Sequence, residues 1–328
     1  MNVLVTGGAG YVGSHTVHAL AANGYFVVAY DNLSTGHRAA LPSDRLIVGN
    51  LADCRLFAAV LKEHHIEAVI HCAASADVAH SMQDPANYFQ NNLSNGLSFL
   101  EALRLAAVPQ LVFSSSAAVY GDPQRVPIVE DDPKVPKNPY GLSKRVFEEI
   151  LHWYDIAYNL RYISLRYFCA AGAAPEVGLG EDHRPERHLI PSVLLSVLGQ
   201  RPEVEIYGTD YPTEDGTAVR DFIHVLDLAQ AHIAALEYLQ GGGSSDTFNV
   251  GLGKGFSVRQ VIDAAQQVTS QSVQARAAPP RPGDPAILVA SPERLMRMLD
   301  WQPRFRQLEE IIASAWQWHQ NQPQGYRE

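Results

Sequence analysis

The sequence predicts an α/β protein with a doubly wound parallel sheet and a smaller C-terminal α/β domain. Continuous apolar runs alternate with helical patterns through the first half of the chain, which is typical of parallel strands covered on both faces. A glycine-rich stretch directly follows the first apolar run, as expected where a strand turns into a helix. After Arg166 the apolar runs become shorter, and Gly, Pro, His and acidic residues become more frequent. We expect a first domain at residues 1–168 and a second at 169–328, with some segments crossing back.

The individual elements follow from the period of the apolar pattern. Pro139 disfavours helical geometry at Asn138, so a helix is expected to begin beside Tyr140. In the first half we expect strands at 3–6, 25–30, 45–49, 68–71, 110–114 and 162–166, and helices at 56–64 and 87–107. In the second half we expect a strand from 219 that leads into a helix ending near 239, a strand at 247–250, and helices at 258–267 and 308–317.

Composition argues against several classes of function. The 328 residues are 46% hydrophobic and 18% charged, as in soluble globular proteins, and a net charge of −10 argues against binding to nucleic acid or anionic membranes. No apolar run approaches the roughly 20 residues of a membrane span, and an apolar strand follows Met1 and Asn2 without the basic segment of a signal peptide. The cysteines Cys54, Cys72 and Cys169 show neither metal-ligand spacing nor a disulfide pattern. We therefore expect a reduced, cytoplasmic enzyme without a metal, a membrane contact or a nucleic-acid partner.

The glycine-rich stretch predicts a dinucleotide site. Gly7, Gly10 and Gly13 permit a tight turn, close approach of the backbone to a pyrophosphate, and close packing of the helix on the strand. Asp31 ends the second apolar run, 18 residues after Gly13, where a carboxylate binds ribose hydroxyls. The charge of the Asp31 carboxylate repels a phosphate on the ribose and so favours NAD over NADP. His37 and Arg38, which can carry a positive charge that attracts such a phosphate, follow closely in the sequence.

A tyrosine and a lysine four residues apart are the candidate catalytic pair. Tyr140 and Lys144 lie on one face of the expected helix, and an ammonium beside a phenol favours the phenolate, a proton acceptor near neutral pH. Ser116 follows the fifth strand, on the sheet edge where ligands bind, and could share a proton with Tyr140 and a substrate hydroxyl. Asn91, on the helix before that strand, could bridge cofactor and backbone.

Two arginines and an acid in the second half are candidates for binding a nucleotide diphosphate. Arg220 and Arg281 carry guanidinium groups suited to bidentate phosphate contacts. Asp284 shares a turn with Arg281 and could bind ribose.

Several motifs together resemble one family. They are 7–13 (Gly-Gly-Ala-Gly-Tyr-Val-Gly), 31–34 (Asp-Asn-Leu-Ser), 114–121, 140–144, 167–168 (Tyr-Phe), 211–217 (Tyr-Pro-Thr-Glu-Asp-Gly-Thr) and 220–225 (Arg-Asp-Phe-Ile-His-Val). On these motifs the chain resembles the UDP-sugar 4-epimerases of the extended short-chain dehydrogenase/reductase family over essentially its whole length. The stretch 211–225 is specific to this branch, whereas the glycine motif is shared much more widely.

The resemblance implies a Rossmann-type fold, a homodimer, and interconversion of UDP-galactose and UDP-glucose through a transient 4-keto sugar with reversible hydride transfer to bound NAD. Tyr140 would take the proton from O4 of the sugar, Ser116 would bond the same hydroxyl, and Lys144 would hold the nicotinamide ribose. The residues that would contact NAD are Gly7, Gly10, Tyr11, Val12, Asp31, Asn32, Asn50, Leu51, Cys72, Ala73, Ala74, Asn91, Ser114, Tyr140, Lys144 and Tyr167. Those around the UDP-sugar would be Ser116, Tyr140, Phe168, Cys169, His188, Leu189, Tyr207, Arg220, Arg281, Asp284 and Ile287.

Four positions depart from the family's pattern. Asn50 replaces an Asp that faces the adenine, and Cys169 replaces an Asn that contacts a phosphate. Ala76 replaces a Lys that some members place near the cofactor. Ile287 stands where a Tyr narrows the hexose pocket in some members, so we expect N-acetylated sugars to fit.

Alternative functions follow from the same residues. A dehydratase needs a carboxylate pair directly after Ser116, but Ala117 and Ala118 follow it. A 4-epimerase of UDP-xylose and UDP-arabinose, or of UDP-N-acetylglucosamine, would use the same catalytic machinery. A non-catalytic, NAD-sensing regulator would lack one of Ser116, Tyr140 and Lys144, and all three are present.

Overall fold

The computed structural model describes residues 1–327. The strands are β1 (Asn2–Thr6), β2 (Phe26–Asp31), β3 (Leu46–Val48), β4 (Ala68–His71), β5 (Gln110–Ser116), β6 (Arg161–Tyr167), β7 (Cys169–Ala171), β8 (Val204–Tyr207), β9 (Val219–Arg220), β10 (Phe222–His224), β11 (Asp246–Val250), β12 (Phe256–Ser257), β13 (Ala275–Ala278) and β14 (Ile287–Leu288). The helices are α1 (Tyr11–Ala22), α2 (Cys54–Glu63), α3 (Val78–Gln83), α4 (Pro85–Phe89), α5 (Asn95–Ala106), α6 (Pro139–Tyr158), α7 (Leu189–Val197), α8 (Val225–Gln240), α9 (Val258–Thr269), α10 (Glu293–Leu299) and α11 (Leu308–Asn321).

Seven strands form one sheet in the order β3-β2-β1-β4-β5-β6-β11, and every pair is parallel. Side chains along a strand alternate between two cores. Val3 and Val5 join the core that α1 and α8 cover, whereas Leu4 joins the core that α2, α5 and α6 cover. The strand order reverses between β1 and β4, which is where such sheets open a ligand crevice. The predicted doubly wound, Rossmann-type fold is confirmed.

The helix predicted at 87–107 is interrupted. Helical backbone runs from Pro85 to Ala106, but Gln90–Ser94 forms a wider π turn that separates α4 from α5. The pattern of apolar residues extends across this turn and therefore does not reveal it. Such turns occur frequently at functional sites.

The second domain is built from short strands and three larger helices. Helices α7, α9 and α11 share an apolar core with β8 and β10, beside the small sheets β7-β10, β12-β9-β14 and β13-β8. The chain crosses back once through α8 and β11, because α8 packs on α1 and β11 pairs with β6. The division at 168/169 stays a prediction, with α8 and β11 as the crossing segments. Within residues 1–327, no helix has the length and apolar character that crossing a membrane requires.

Candidate active site

A cavity of about 1260 Å³ opens at the carboxyl ends of the parallel strands and extends along the second domain. It exceeds the roughly 300–1,000 Å³ typical of a pocket for one small ligand. The predicted residues that line it are Gly7, Gly10, Tyr11, Val12, Asp31, Asn32, Asn50, Leu51, Cys72, Ala73, Ala74, Asn91, Ser116, Tyr140, Tyr167, Phe168, Cys169, His188, Leu189, Tyr207, Arg220, Arg281 and Asp284. Of the predicted set, Ser114, Lys144 and Ile287 are not part of this lining.

The glycine loop between β1 and α1 leaves no room for larger side chains. Gly7 has a φ of +66°, and a Cβ added there would lie 2.6 Å from the backbone nitrogen of Ala73. A Cβ on Gly13 would lie 2.0 Å from the carbonyl oxygen of Gly7. The N-terminus of α1 has no side-chain cap and no acidic residue in its first turn. This end of the helix therefore fits an anionic pyrophosphate.

Asp31 fixes the loop that faces this helix end. Its Oδ2 accepts a 2.9 Å hydrogen bond from the backbone N–H of Ala9, and its Oδ1 accepts a 2.8 Å bond from that of Leu33. The carboxylate is nearly buried yet reaches the cavity. Each oxygen retains a lone pair for a ribose hydroxyl, so the residues present fit NAD.

Tyr140 and Ser116 meet where α6 begins. Asn138 caps the helix by accepting a hydrogen bond from the N–H of Gly141, and a Cβ on Gly141 would lie 2.3 Å from the carbonyl oxygen of Ala118. This close packing places the first turn of α6 against the end of β5. Burial raises the pKa of the Tyr140 phenol above its usual value, and a hydrogen bond with Ser116 lowers it in part.

Lys144 lies one turn further along α6, behind the cavity wall. Its Nζ donates a 2.7 Å hydrogen bond to the carbonyl oxygen of Ser114 and lies 5.9 Å from the centroid of the Tyr140 ring. Burial lowers the pKa of the Lys144 ammonium to about 8. Burial is the largest influence on the pKa of the Tyr140 phenol in the structure, and the expectation that Lys144 lowers this pKa stays a prediction.

The π turn carries a polar anchor that the sequence reasoning missed. Asn91 donates a 3.1 Å hydrogen bond to the Ser75 hydroxyl, whereas Asn92 accepts a 2.8 Å bond from the N–H of Ser75 and donates a 3.0 Å bond to its carbonyl oxygen. Asn92 also bonds Ser143 on α6, next to Lys144. The backbone contact expected of Asn91 is therefore made by its neighbour, and Asn91 remains on the cavity wall.

The second domain contributes cations to the opposite wall. The Arg281 guanidinium lies 3.9 Å from the centroid of the Tyr207 ring, a stacked arrangement that holds its orientation. Arg220 is ion-paired with Asp284 and donates a 2.7 Å hydrogen bond to the carbonyl oxygen of Pro285. Burial raises the pKa of the nearby Cys169 thiol to about 12, so Cys169 is neutral at neutral pH. These groups can bind a diphosphate and its ribose.

Ile287 lies in β14 and is not part of the cavity lining. Adjacent residues of a strand point to opposite faces, and in β14 it is Leu288 that packs, with Phe168, against the apolar cluster around Tyr120. The prediction that Ile287 shapes the sugar pocket stays a prediction.

The loop before α7 also lines the cavity, and the sequence reasoning identified only its last residue, His188. Glu181, His183 and Glu186 lie on the same wall. The alternation of acidic residues and histidines in this stretch is the sequence feature that could have indicated these residues.

The chain is similar to known proteins along nearly all of its length. The model of the NAD dependent epimerase/dehydratase family matches residues 3–251. A UDP-glucose 4-epimerase of Lacticaseibacillus casei is 48% identical over 327 residues, which cover 99% of both chains. The structure of UDP-glucose 4-epimerase from Brucella ovis in complex with NAD has a TM-score of 0.93 at 43% identity and covers 96% of this chain and 97% of its own. The structure of the Stenotrophomonas maltophila UDP-glucose 4-epimerase with bound NAD and formylated UDP-arabinopyranose has a TM-score of 0.94 at 37% identity. It covers 99% of this chain and 100% of its own.

Proposed function

We propose a specific reaction for this chain, which belongs to the NAD dependent epimerase/dehydratase family. It is an NAD-dependent isomerase that interconverts UDP-galactose and UDP-glucose through a transient 4-keto sugar. The observation that supports this reaction best is that Tyr140 and Ser116 lie together on the wall of the cavity that also contains the glycine loop.

Tyr140 and Ser116 have different roles in the reaction at C4 of the sugar. Tyr140 takes the proton from the O4 hydroxyl and returns it after the keto sugar has turned over. Ser116 bonds the same hydroxyl and keeps it in line with the phenol. NAD⁺, when bound by the glycine loop and Asp31, would supply the hydride acceptor and a positive charge in the site. Because the two half-reactions cancel, no other reductant or oxidant is consumed.

Lys144 and Asn92 position the catalytic groups. Lys144 adds a positive charge on the inner side of the Tyr140 ring, and its hydrogen bond to the Ser114 carbonyl fixes it against β5. Asn92 ties the π turn to α6 through Ser143. The catalytic face of α6 is thereby held at a fixed distance from the strand ends.

The residues beside Ser116 favour epimerisation over elimination. Ala117 and Ala118 form the turn after β5, and neither can move a proton. Loss of water from the keto sugar needs an acid and a base at this point. The dehydratase alternative therefore lacks its chemistry.

The identity of the sugar is tested with a substrate panel. We expect conversion of UDP-galactose to UDP-glucose by the NAD-loaded protein, followed by nuclear magnetic resonance or chromatography. UDP-xylose and UDP-N-acetylglucosamine serve as alternative substrates, and faster conversion of either one would replace the hexose assignment. No conversion of any UDP-sugar by folded, NAD-loaded protein would favour the non-catalytic regulator.

Tyr140→Phe tests the catalytic base. It removes only the phenolic hydroxyl, and we expect kcat to fall by roughly 10²–10⁴-fold while the bound NAD and the fold remain. Tyr238→Phe is the matched control, because Tyr238 lies near the end of α8 and is not among the residues that line the cavity. Near-normal turnover by Tyr140→Phe would contradict the assignment.

We further propose that the active form is a homodimer formed through α5 and α6. These helices expose large apolar side chains that a monomer would leave in water: Leu97, Leu105, Trp153, Ile156 and Tyr158. Light scattering of the eluted protein tests this, and Trp153→Glu is expected to give a monomer. Val135→Glu, an exposed apolar position outside these helices, is the control. A monomeric wild type would contradict the proposal.

We also place the protein in the cytoplasm. Its cysteines Cys54, Cys72 and Cys169 are all free, as is usual where thiols are kept reduced. Imaging of the fluorescently fused full chain in its own host tests this, and an extracytoplasmic signal would contradict it.

A further inference from the structure

Two acids and two histidines converge in the loop that connects β7 to α7. Glu181, His183, Glu186 and His188, here called the 181–188 cluster, each present one donor atom within 4.8 Å of the others. Both carboxylates are buried, with 6% of each side chain exposed. The cluster lines the cavity but contains no residue that moves a proton in the reaction above.

The distances between donor atoms approach those of a four-coordinate ion. The His183 Nδ1 lies 3.3 Å from Oε1 of Glu181 and 3.5 Å from Oε2 of Glu186. The His188 Nδ1 lies 2.8 Å from the same Glu181 oxygen and 3.0 Å from Oε1 of Glu186. Zinc bonds to imidazole and carboxylate are about 2.0–2.2 Å long, which separates tetrahedral donors by about 3.3–3.6 Å. The distances from His183 match this range, and those from His188 need to widen by about 0.3–0.5 Å to reach it. The two distances to Glu186 are measured to different oxygens of its carboxylate, so one of these oxygens serves as the ligand.

One nitrogen in the cluster is buried without a hydrogen bond. Within residues 1–327, the His183 Nδ1 has no hydrogen-bond partner, although two carboxylate oxygens lie near it. This nitrogen and the two oxygens bound a small space between the carboxylates. Buried polar atoms are normally satisfied, so this nitrogen indicates a group that belongs in that space.

The charges of the cluster also match a divalent cation. The ion-pair partners of the Glu181 and Glu186 carboxylates are the two imidazoles. Two buried negative charges in contact are costly unless they are neutralised. One divalent ion neutralises both and leaves the imidazoles in the neutral form that binds metals.

We propose that the 181–188 cluster binds a divalent transition-metal ion, with zinc the best match to two imidazoles and two carboxylates. Imidazole ligands disfavour magnesium and calcium, which prefer all-oxygen sites. The ion is structural: four protein ligands leave no open position for catalysis. It fixes the loop that carries His188 and Leu189 to the cavity, and the His183 ring contacts Tyr11 at the start of α1. None of the four ligands moves a proton in the proposed reaction, whereas His188 is also a predicted contact of the UDP-sugar.

The test measures metal content without substrate. Full-length protein without a histidine tag is purified, and its zinc is measured by mass spectrometry before and after dialysis against a chelator. We expect close to one zinc per chain, loss of zinc with a lower melting temperature after chelation, and recovery of both on adding zinc but not magnesium. Cobalt substitution is expected to produce the visible absorption bands of a tetrahedral site.

Variants distinguish zinc binding at the 181–188 cluster from zinc binding elsewhere on the protein. His183→Gln and His188→Gln each remove one ligand and are expected to weaken zinc binding by at least 10-fold. His18→Gln, at an exposed position on α1, is the control and should bind zinc as the wild type does. The melting curve and NAD content of each variant establish that it is folded.

The proposal is overturned by any of three results. These are protein free of zinc whose melting temperature does not respond to added zinc, cobalt spectra without tetrahedral bands, or binding that survives in both variants. In the first case two protonated imidazoles neutralise the carboxylates instead. None of these measurements depends on epimerase activity, so their results neither support nor contradict the proposed function.

Discussion

Replacing Lys144 by methionine should stabilise the cofactor-free protein at neutral pH while abolishing most of its activity. The ammonium is 4% exposed, and its pKa is lowered to about 8 from 10.5. That difference corresponds to about 3 kcal/mol of stability lost at pH 7 because the buried charge must be kept in the folded state. Methionine has a similar shape without the charge. The lost hydrogen bond to the Ser114 carbonyl offsets about 1–2 kcal/mol, so we expect a net gain of about 1–2 kcal/mol.

The pH dependence provides the stricter check. Between pH 8 and 10.5 the unfolded wild type binds more protons at Lys144 than the folded wild type, so its stability rises with pH across this window. Lys144→Met has no titrating group at this position, so its stability does not include this rise with pH. Its advantage at pH 7 should therefore shrink by pH 10 and turn into a small disadvantage at higher pH.

Urea unfolding of nucleotide-free protein at pH 7 and pH 10 measures both effects. The difference between variant and wild type cancels all other groups that titrate in this range. Lys62→Met, at an exposed position on α2, is the matched control and should change stability by less than about 0.5 kcal/mol. A variant that is less stable than wild type at pH 7, or a difference that does not change with pH, would refute the reasoning.

Two further substitutions test the scaffold. Gly7→Ala should lose bound NAD, measured by releasing the nucleotide from denatured protein, because a Cβ at this left-handed position would collide with the facing backbone; Gly24→Ala has a similar φ but open space and should keep its NAD. Retention of NAD by Gly7→Ala would contradict the role of the loop. Glu148→Gln should lower the free energy of unfolding by about 3–5 kcal/mol, because it leaves the buried Arg166 without its charge partner. The exposed neighbour Glu149→Gln should cost less than about 1 kcal/mol, and equal effects of the two would refute the argument.

The parts of the fold that follow from local sequence were predicted well. The apolar run of β1, the glycines after it and Asp31 are all determined by interactions within a short stretch of chain. Buried parallel strands need continuous apolar runs, so β4 was predicted with its bounds unchanged. The start of α6 was also predicted, because Pro139 and the cap at Asn138 are local signals.

Features that depend on register or burial were not predictable in the same way. The π turn shifts Asn91 and Asn92 without changing the apolar pattern, so the anchoring residue was misassigned by one position. The face to which Ile287 points could not be predicted either, because the short strand β14 offers no alternation of side chains.

The pKa of Tyr140 also could not be predicted from the sequence. Spacing alone placed a lysine beside a phenol, whereas the surrounding packing determines that burial dominates its pKa. The convergence of the 181–188 cluster does not follow from the sequence either, because its two acids and two histidines come together only when the loop folds.

The most direct test of the central claim follows the hydrogen at C4. UDP-galactose carrying deuterium at C4 is incubated with the protein and no added nucleotide, and the UDP-glucose formed is analysed by nuclear magnetic resonance. If Tyr140 moves the proton and bound NAD holds the hydride, the product retains deuterium at C4, now on the opposite face of the ring. Replacement of the deuterium by hydrogen from water, or no product from folded NAD-loaded protein, would contradict the account.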